Sequence, residues 1–351
     1  MNFRPGLELS QQFFSELVRP ILDGSLKGAP YSAALIGWGS EVQGFDTPRS
    51  MDHAWGPRMQ VFLSPAEFAE FEHNLDAILD DELPVTFQGH HVRFAFPDGA
   101  SPRHWVSPTD VEQYFATYLG STISQGISRR TWLMAPTQSL RELTGDMVFH
   151  DGLGVLEPWR ASLAWYPDDI WRYVLASQWM RLDAEEPFVG RCGEVGDDLG
   201  SAVVSARQVR DLMKLAMLMA RNYPPYSKWL GTAFSQTPLS TQLTPHLSVA
   251  LKAEDWQARQ RHLTPAYEIL ATQHNTLGLT EPIDPTVRQF HTRPFLVLDS
   301  HRFADALVGS ISDPTLRAIP LLGAIDQYVD STDLLDRSAS EDRRAYINGP
   351  A

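Results

Sequence analysis

Cysteine is nearly absent from this chain of 351 residues, which carries only Cys192. A single cysteine excludes an intramolecular disulfide, so the fold has to be held by its apolar core. Ten tryptophans and 17 phenylalanines supply bulk for such a core. With 43% apolar and 21% charged residues, the composition is that of an ordinary globular protein.

Long apolar runs are also missing. No window reaches eighteen uncharged apolar residues, and the first residues, MNFRPGLELSQQFF, lack a basic stretch followed by an apolar core. These absences are typical of a chain with neither a membrane span nor a secretory signal. We therefore expect a cytoplasmic protein with no membrane partner.

Positive charge is scarce. The chain has 29 Lys and Arg against 43 Asp and Glu, a formal net charge of −14. Binding to the nucleic-acid backbone requires a cationic face, so we expect no nucleic-acid partner. An acidic surface concentrates cations, and this permits a cationic small substrate.

The common nucleotide and hydrolase motifs are absent as well. There is no Gly-x-Ser-x-Gly elbow, no Walker A sequence and no dinucleotide fingerprint. GWGSEVQG is rich in glycine, yet it lacks the Lys-[Ser/Thr] pair and the helix of a phosphate-binding loop.

The pattern of apolar residues changes along the chain. Short apolar runs, YSAALIGWGS and RMQVFLSP among them, alternate with helical periodicity up to about residue 158. In the rest of the chain the apolar residues mainly have helical spacing. The length of the chain by itself indicates two domains. We predict an α+β protein, with a mixed-sheet domain over 1–158 and a helical domain over 159–351. The individual helices expected are 7–22, 66–83, 109–120, 248–261, 263–276, 301–311 and 314–330.

One stretch combines features of a phosphate and metal site. In LIGWGSEVQGFDTPRSMDHAWGPRMQVFL, Gly39 and Ser40 end the first apolar run, and Asp52 follows after eleven residues. Such a turn can offer backbone amides and a hydroxyl to phosphate oxygens. Two acids spaced i and i+2 on a strand point to one face and can hold Mg²⁺.

This stretch resembles the nucleotidyltransferase superfamily, whose pattern is Gly-[Gly/Ser], nine to thirteen residues, then Asp-x-[Asp/Glu]. More narrowly, it is similar to a bacterial group of uncharacterised nucleotidyltransferase-like proteins, DUF4037. The similarity continues in FHDGLGVLEPWRASLAWYPDDIWRYVLASQW, ARNYPPYSKWLG and LLGAIDQYVDSTD. It implies Mg²⁺-dependent transfer of a nucleoside monophosphate from a nucleoside triphosphate to a hydroxyl of a small acceptor. Gly39 and Ser40 would then cradle the phosphates, and Asp52 would be catalytic and bind the metal.

The sequence departs from this pattern at Ala54, where the family places the second metal-binding acid. Three explanations remain open: a pseudoenzyme, a deliberately inactivated enzyme, or a ligand supplied elsewhere, by His53 or Asp46. Losing one of two primary Mg²⁺ ligands removes most activity in such sites. The two function hypotheses are therefore an impaired transferase and a protein that binds a nucleotide or metabolite without transfer.

The third acid of the family is expected on a later strand. The corresponding stretch, HWVSPTDVEQYF, has Ser107 at the likeliest register, with Asp110 and Glu112 slightly downstream. Asp110 is our candidate for the catalytic carboxylate.

Further residues are candidates for nucleotide binding, each with a structural alternative. Arg58 is suited to bidentate phosphate binding, or to an ion pair at the start of a strand. Arg210 and Lys214 share a helix face, which can hold phosphates or simply be solvated. Tyr226 and Lys228, in YPPYSKW, fit a base-stacking loop or a packed Pro-rich turn. Further along the chain, GAIDQYVDSTD, with Asp326 and Asp330, can reach a cleft or brace the helices.

Overall fold

A computed structural model describes residues 3–52, 55–95, 100–145 and 147–336. These residues form an α+β protein, with a mixed four-stranded sheet in the N-terminal half and helices in the C-terminal part. The predicted fold class is thus confirmed.

The strands are β1 Ser32–Leu35, β2 Met59–Leu63, β3 Thr86–Phe87, β4 His90–His91, β5 Arg93–Phe94, β6 Arg103–His104, β7 Val106–Asp110, β8 Met147–Asp151, β9 Arg288–Gln289 and β10 Leu296–Val297. The helices are α1 Gly6–Phe13, α2 Arg19–Ser25, α3 Pro65–Glu82, α4 Val111–Leu119, α5 Arg129–Met134, α6 Thr137–Thr144, α7 Leu156–Leu163, α8 Asp168–Glu185, α9 Phe188–Glu194, α10 Asp198–Met219, α11 Ser227–Ser235, α12 Ser240–Lys252, α13 Trp256–Thr276, α14 His301–Ser310, α15 Pro314–Arg317, α16 Ile325–Tyr328 and α17 Thr332–Leu335. A π-helical turn, Phe14–Val18, joins α1 to α2, and a 3₁₀ helix spans Pro48–Asp52.

The described chain divides into two compact units. Unit 1 contains the described residues of 1–131 and 139–164, together with Asp336, and unit 2 contains 132–138 and 165–335. The segment 132–138 therefore packs with the helices of 165–335, although 139–164, which separates them in sequence, belongs to unit 1.

The sheet of unit 1 has the strand order β7-β2-β1-β8. Strand β1 is antiparallel to β2 and β8, whereas β2 and β7 are parallel. Ala34 pairs with Gln60, and Gln60 pairs with Ser107. The Leu35 end of β1 and the starts of β2 and β7 therefore share one edge of the sheet, which we call the Gly39 edge.

The core of unit 1 forms between this sheet and helices. In the first helical segment, Phe13, Phe14 and Val18 are buried around the π-helical turn, which interrupts the helix predicted for 7–22 without ending it. Helix α3 begins at a capping box in which Ser64 and Glu67 exchange hydrogen bonds. The capping box follows from local sequence.

Unit 2 is built on long helices around α8. Ten side chains of α8 are buried, so this helix is apolar around most of its surface rather than along one stripe. Trp179 stacks on Phe303 of α14 with ring centroids 4.7 Å apart. None of the helices in the described part of the chain combines the length and apolar character that crossing a membrane requires.

Two predicted helices of unit 2 are wrong. The helix predicted for 248–261 is divided between α12 and α13, because the Asp255 side chain caps α13 by accepting from the Ala258 amide at 2.6 Å. The helix predicted for 314–330 is replaced by α15 and α16. Pro320, and Gly323 at φ +92°, break the helical path between them.

Candidate functional site

The turn after β1 depends on glycine. Gly39 has a φ of +129°, and a Cβ there would lie 2.2 Å from Arg58 Nη2 and 2.7 Å from Glu41 Oε2. Any side chain would therefore collide with a buried ion pair in addition to straining the backbone. The packing beneath this turn thus requires glycine at position 39.

Arg58 and Glu41 form that ion pair, and each is only 2% exposed. Arg58 Nε donates to Glu41 Oε1 at 2.7 Å, Nη2 donates to the Trp38 carbonyl at 2.6 Å, and the guanidinium lies over the Trp38 ring at 4.2 Å. The guanidinium thus supports the turn from within the protein. Phosphate binding by Arg58 stays a prediction.

Asp52 ends the 3₁₀ helix Pro48–Asp52 and does not lie on a strand, because β2 begins only at Met59. The expectation that the acid of the motif belongs to the strand is therefore corrected. Its side chain is 41% exposed and lies 3.4 Å from Arg49 Nε. The neighbouring His53 and Ala54 lie outside the described residues.

Asp46, weighed as a substitute ligand, has a structural role. Its Oδ2 accepts from the Gly6 amide at 2.8 Å and from Trp55 Nε1 at 3.4 Å. These bonds tie the loop after the turn to the start of α1.

Ser107, at the register expected for the third acid, and Asp110, the candidate carboxylate, lie at different positions along β7. Ser107 is exposed and pairs with Gln60, close to the Gly39 edge. Asp110 pairs with Leu63 and is three residues further along, about 10 Å at the usual rise of a strand. Asp110 therefore lies toward the opposite edge, where its carboxylate caps α4 by accepting from the Gln113 amide at 3.1 Å.

The described residues bring one group of three potential metal ligands within 4.8 Å of each other, Asp183, Asp299 and His301 of unit 2. Arg288 and Arg302 lie 3.8 and 3.9 Å from the Asp299 carboxylate. These arginines already compensate its charge, so the group is an ion-pair network.

Unit 2 contains a pocket that includes three of the predicted nucleotide-binding residues, Arg210, Lys214 and Tyr226. It encloses about 60 Å³, several times the space that one water needs. Lys228 lies outside the lining, with its ammonium over the Trp229 ring at 4.9 Å. The lining residues are Thr137, Gln138, Arg210, Lys214, Pro224, Pro225, Tyr226, Ser227, Leu230, Asp326, Val329, Asp330, Thr332 and Leu335.

Two carboxylates face the two cations of this pocket. Arg210 Nη1 donates to both oxygens of Asp330, at 3.0 and 2.9 Å. Asp326 accepts from the amide and the hydroxyl of Thr137, each at 2.9 Å. Lys214 Nζ donates to the Asp326 backbone carbonyl at 3.4 Å.

Burial changes the proton affinity of both inner groups. It lowers the pKa of Lys214 and raises the pKa of Asp326, while the attraction between the two opposes both shifts. Each group therefore favours its neutral form more than it would in water.

Sequence reasoning missed Thr137 and Gln138. Thr137 lies 189 residues before Asp326 along the chain, and no local pattern marks either residue. Only the grouping of 132–138 with unit 2 brings them to the pocket.

Residues 132–230 match the family model described as a domain of unknown function, DUF4037. Nine of the fourteen residues that line the pocket fall within this segment. No curated protein and no solved structure matches the chain.

Proposed function

We propose that the protein binds a nucleoside triphosphate at the Gly39 edge of the unit 1 sheet and transfers a nucleoside monophosphate weakly or not at all. One observation carries the proposal. The antiparallel β1/β2 pair and the parallel β2/β7 pair bring the Gly39 turn, the chain entering β2 and Ser107 to one edge. The resemblance to nucleotidyltransferases implies acids at the second and third of these positions, and this chain has Asp52, Ala54 and Ser107.

The turn itself supports phosphate binding. The buried Arg58–Glu41 pair fills the space beside Gly39 and holds the turn in place. Ser40, the next residue, is only partly buried, and its hydroxyl can donate to a phosphate oxygen.

The limited set of carboxylates argues against efficient transfer. Mg²⁺ would be held by Asp52 and by the oxygens of the triphosphate, because Glu41 is paired with Arg58 and Asp46 is bonded to Gly6 and Trp55. When bound, the ion would neutralise charge on the phosphates. A single protein carboxylate leaves the ion loosely oriented for transfer.

Nucleotide binding can be tested by calorimetry with each of the four nucleoside triphosphates and Mg²⁺. We expect one of them to bind, and Ser40→Ala and Asp52→Asn each to weaken binding by about tenfold, the value of one charge-assisted hydrogen bond. Ser101→Ala, an exposed serine elsewhere in unit 1, is the matched control. Absence of binding by all four nucleotides to the folded protein would overturn the proposal.

Transfer can be tested by release of pyrophosphate. Ala54→Asp should raise the rate, and Ala54→Asp combined with Ser107→Glu should raise it further, since both acids of the family pattern are then present. Ala54→Asn is the control for size without charge. If the unmodified chain is as fast as both variants, its site is complete as it stands, and transfer to a small cationic acceptor becomes the better proposal.

A further inference from the structure

The pocket of unit 2 has more hydrogen-bond donors than its own residues satisfy. Lys214 has three ammonium protons, and its hydrogen bond in the described structure is the long one to the Asp326 carbonyl. An ammonium that lines a pocket with unused protons requires an acceptor, because a buried donor without a partner is destabilising.

Arg210 adds further donors. Its Nη1 is paired with Asp330, whereas its Nε has no hydrogen bond among the described residues and lies 4.0 Å from the buried Asp211 carboxylate. The Asp330 side chain is 73% exposed, so this carboxylate lies at the solvent side of Arg210 and can be displaced.

Both carboxylates of the pocket already accept hydrogen bonds from within it. Asp326 receives two hydrogen bonds from Thr137, and Asp330 receives two from Arg210. A cationic ligand would have to compete with these bonds, whereas an anionic ligand would meet unused donors.

Helix α11 also directs its N-terminus to the pocket. Ser227, its first residue, is part of the lining, and Tyr226 at the N-cap makes no side-chain capping hydrogen bond. The first amides and the positive end of a helix dipole favour an anion at this position.

We infer that this pocket binds the phosphate group of a small ligand, with Lys214, Arg210 and the first turn of α11 as the donors. The inference is independent of nucleotide binding at the Gly39 edge, since every residue it uses belongs to unit 2.

Inorganic phosphate is the probe, added to the full-length chain at constant ionic strength, with chloride for comparison. We expect a saturable rise in the unfolding temperature, because a ligand that binds only the folded state stabilises it. Lys214→Met should weaken phosphate binding by about tenfold or more, the value of a lost charge-assisted hydrogen bond. Arg207→Gln is the matched control, because Arg207 lies on the same helix but pairs with Glu185 outside the pocket.

Asp330→Asn provides a test of opposite sign that does not depend on the folding of the Lys214 variant. It removes the carboxylate that competes for Arg210, so phosphate should bind more tightly to this variant than to the original chain. A pocket that is only an internal ion-pair network would show no such gain. Unchanged phosphate binding in both Asp330→Asn and a folded Lys214→Met, or stabilisation by putrescine instead of phosphate, would overturn the inference.

The source of the phosphate group can be resolved by comparing the binding of adenosine monophosphate with that of inorganic phosphate. Tighter binding of the monophosphate than of inorganic phosphate, lost in Lys214→Met, indicates a nucleotide ligand. Equal binding indicates free phosphate or another phosphate ester. Since Ser40→Ala changes only the Gly39 edge and Lys214→Met only this pocket, failure of one proposal is distinguishable from failure of the other.

Discussion

At the scale of single residues, the turn after β1 depends on two charges that are both withdrawn from water. Arg58 and Glu41 are each 2% exposed, and their hydrogen bonds surround the position where Gly39 has no side chain. Removing one partner would leave the other charge buried and uncompensated, which costs far more than the pair itself contributes.

Glu41→Gln is therefore expected to lower the free energy of unfolding by about 3–5 kcal/mol. Glu185→Gln, which breaks the partly exposed pair with Arg207, should cost no more than about 1 kcal/mol. Urea denaturation of both variants and the original chain measures the difference. Equal losses in the two variants would contradict the view that burial of Arg58 and Glu41 organises the turn.

At the scale of elements, Asp110 joins a strand to a helix. It is the last residue of β7 and the N-cap of α4, and the β2/β7 register holds it away from the Gly39 edge. Its structural role requires a short side chain with an oxygen acceptor but not a negative charge.

Asp110→Asn should therefore leave the stability of the protein within about 0.5 kcal/mol, whereas Asp110→Ala should lower it by about 1 kcal/mol, the usual value of an N-cap. Neither variant should alter nucleotide binding. Thermal or urea denaturation, together with the calorimetric assay, checks both statements. Loss of nucleotide binding in Asp110→Asn, without loss of stability, would instead assign Asp110 to the site.

At the scale of the whole molecule, two buried groups of unit 2 make the stability depend on pH. Their contributions change with pH in opposite directions. Burial raises the pKa of Glu186 to about 7, despite the amides of 298–300 that donate to its carboxylate. Its contribution is complete below the ordinary value near 4.5 and is lost as the pH rises to about 7. Burial lowers the pKa of His274 to about 4, so its contribution is complete above 6.5 and is lost as the pH falls to about 4.

The Glu186→Gln variant should show the pH dependence of stability that His274 alone causes. Between pH 4.5 and 6.5 the two contributions nearly cancel, each changing by about 1.4 kcal/mol per pH unit. Relative to the original chain, the variant should lose stability as the pH is lowered from 7 to 4.5, by up to about 3 kcal/mol. Urea denaturation across this range measures the difference, and a difference independent of pH would show that Glu186 is charged throughout.

Local sequence was sufficient for much of the fold. The helix predicted for 66–83 is α3, and its start depends on Ser64 and Glu67, which are neighbours along the chain. The helix predicted for 314–330 was wrong, because Pro320 and Gly323, both visible in the sequence, outweigh the helical spacing of its apolar residues. The strand assumed around Asp52 failed for a different reason, since β2 begins only where β1 and β7 provide partners.

The sequence by itself determined the α+β class and the position of the glycine turn, because residue type and short spacing carry that information. Tertiary structure decided which charges meet. It buried Arg58 against Glu41, put Asp110 on a helix cap, and brought Thr137 to Asp326 across 189 residues. Such pairings depend on strand register and helix packing, and neither is written in the spacing of residues along the chain.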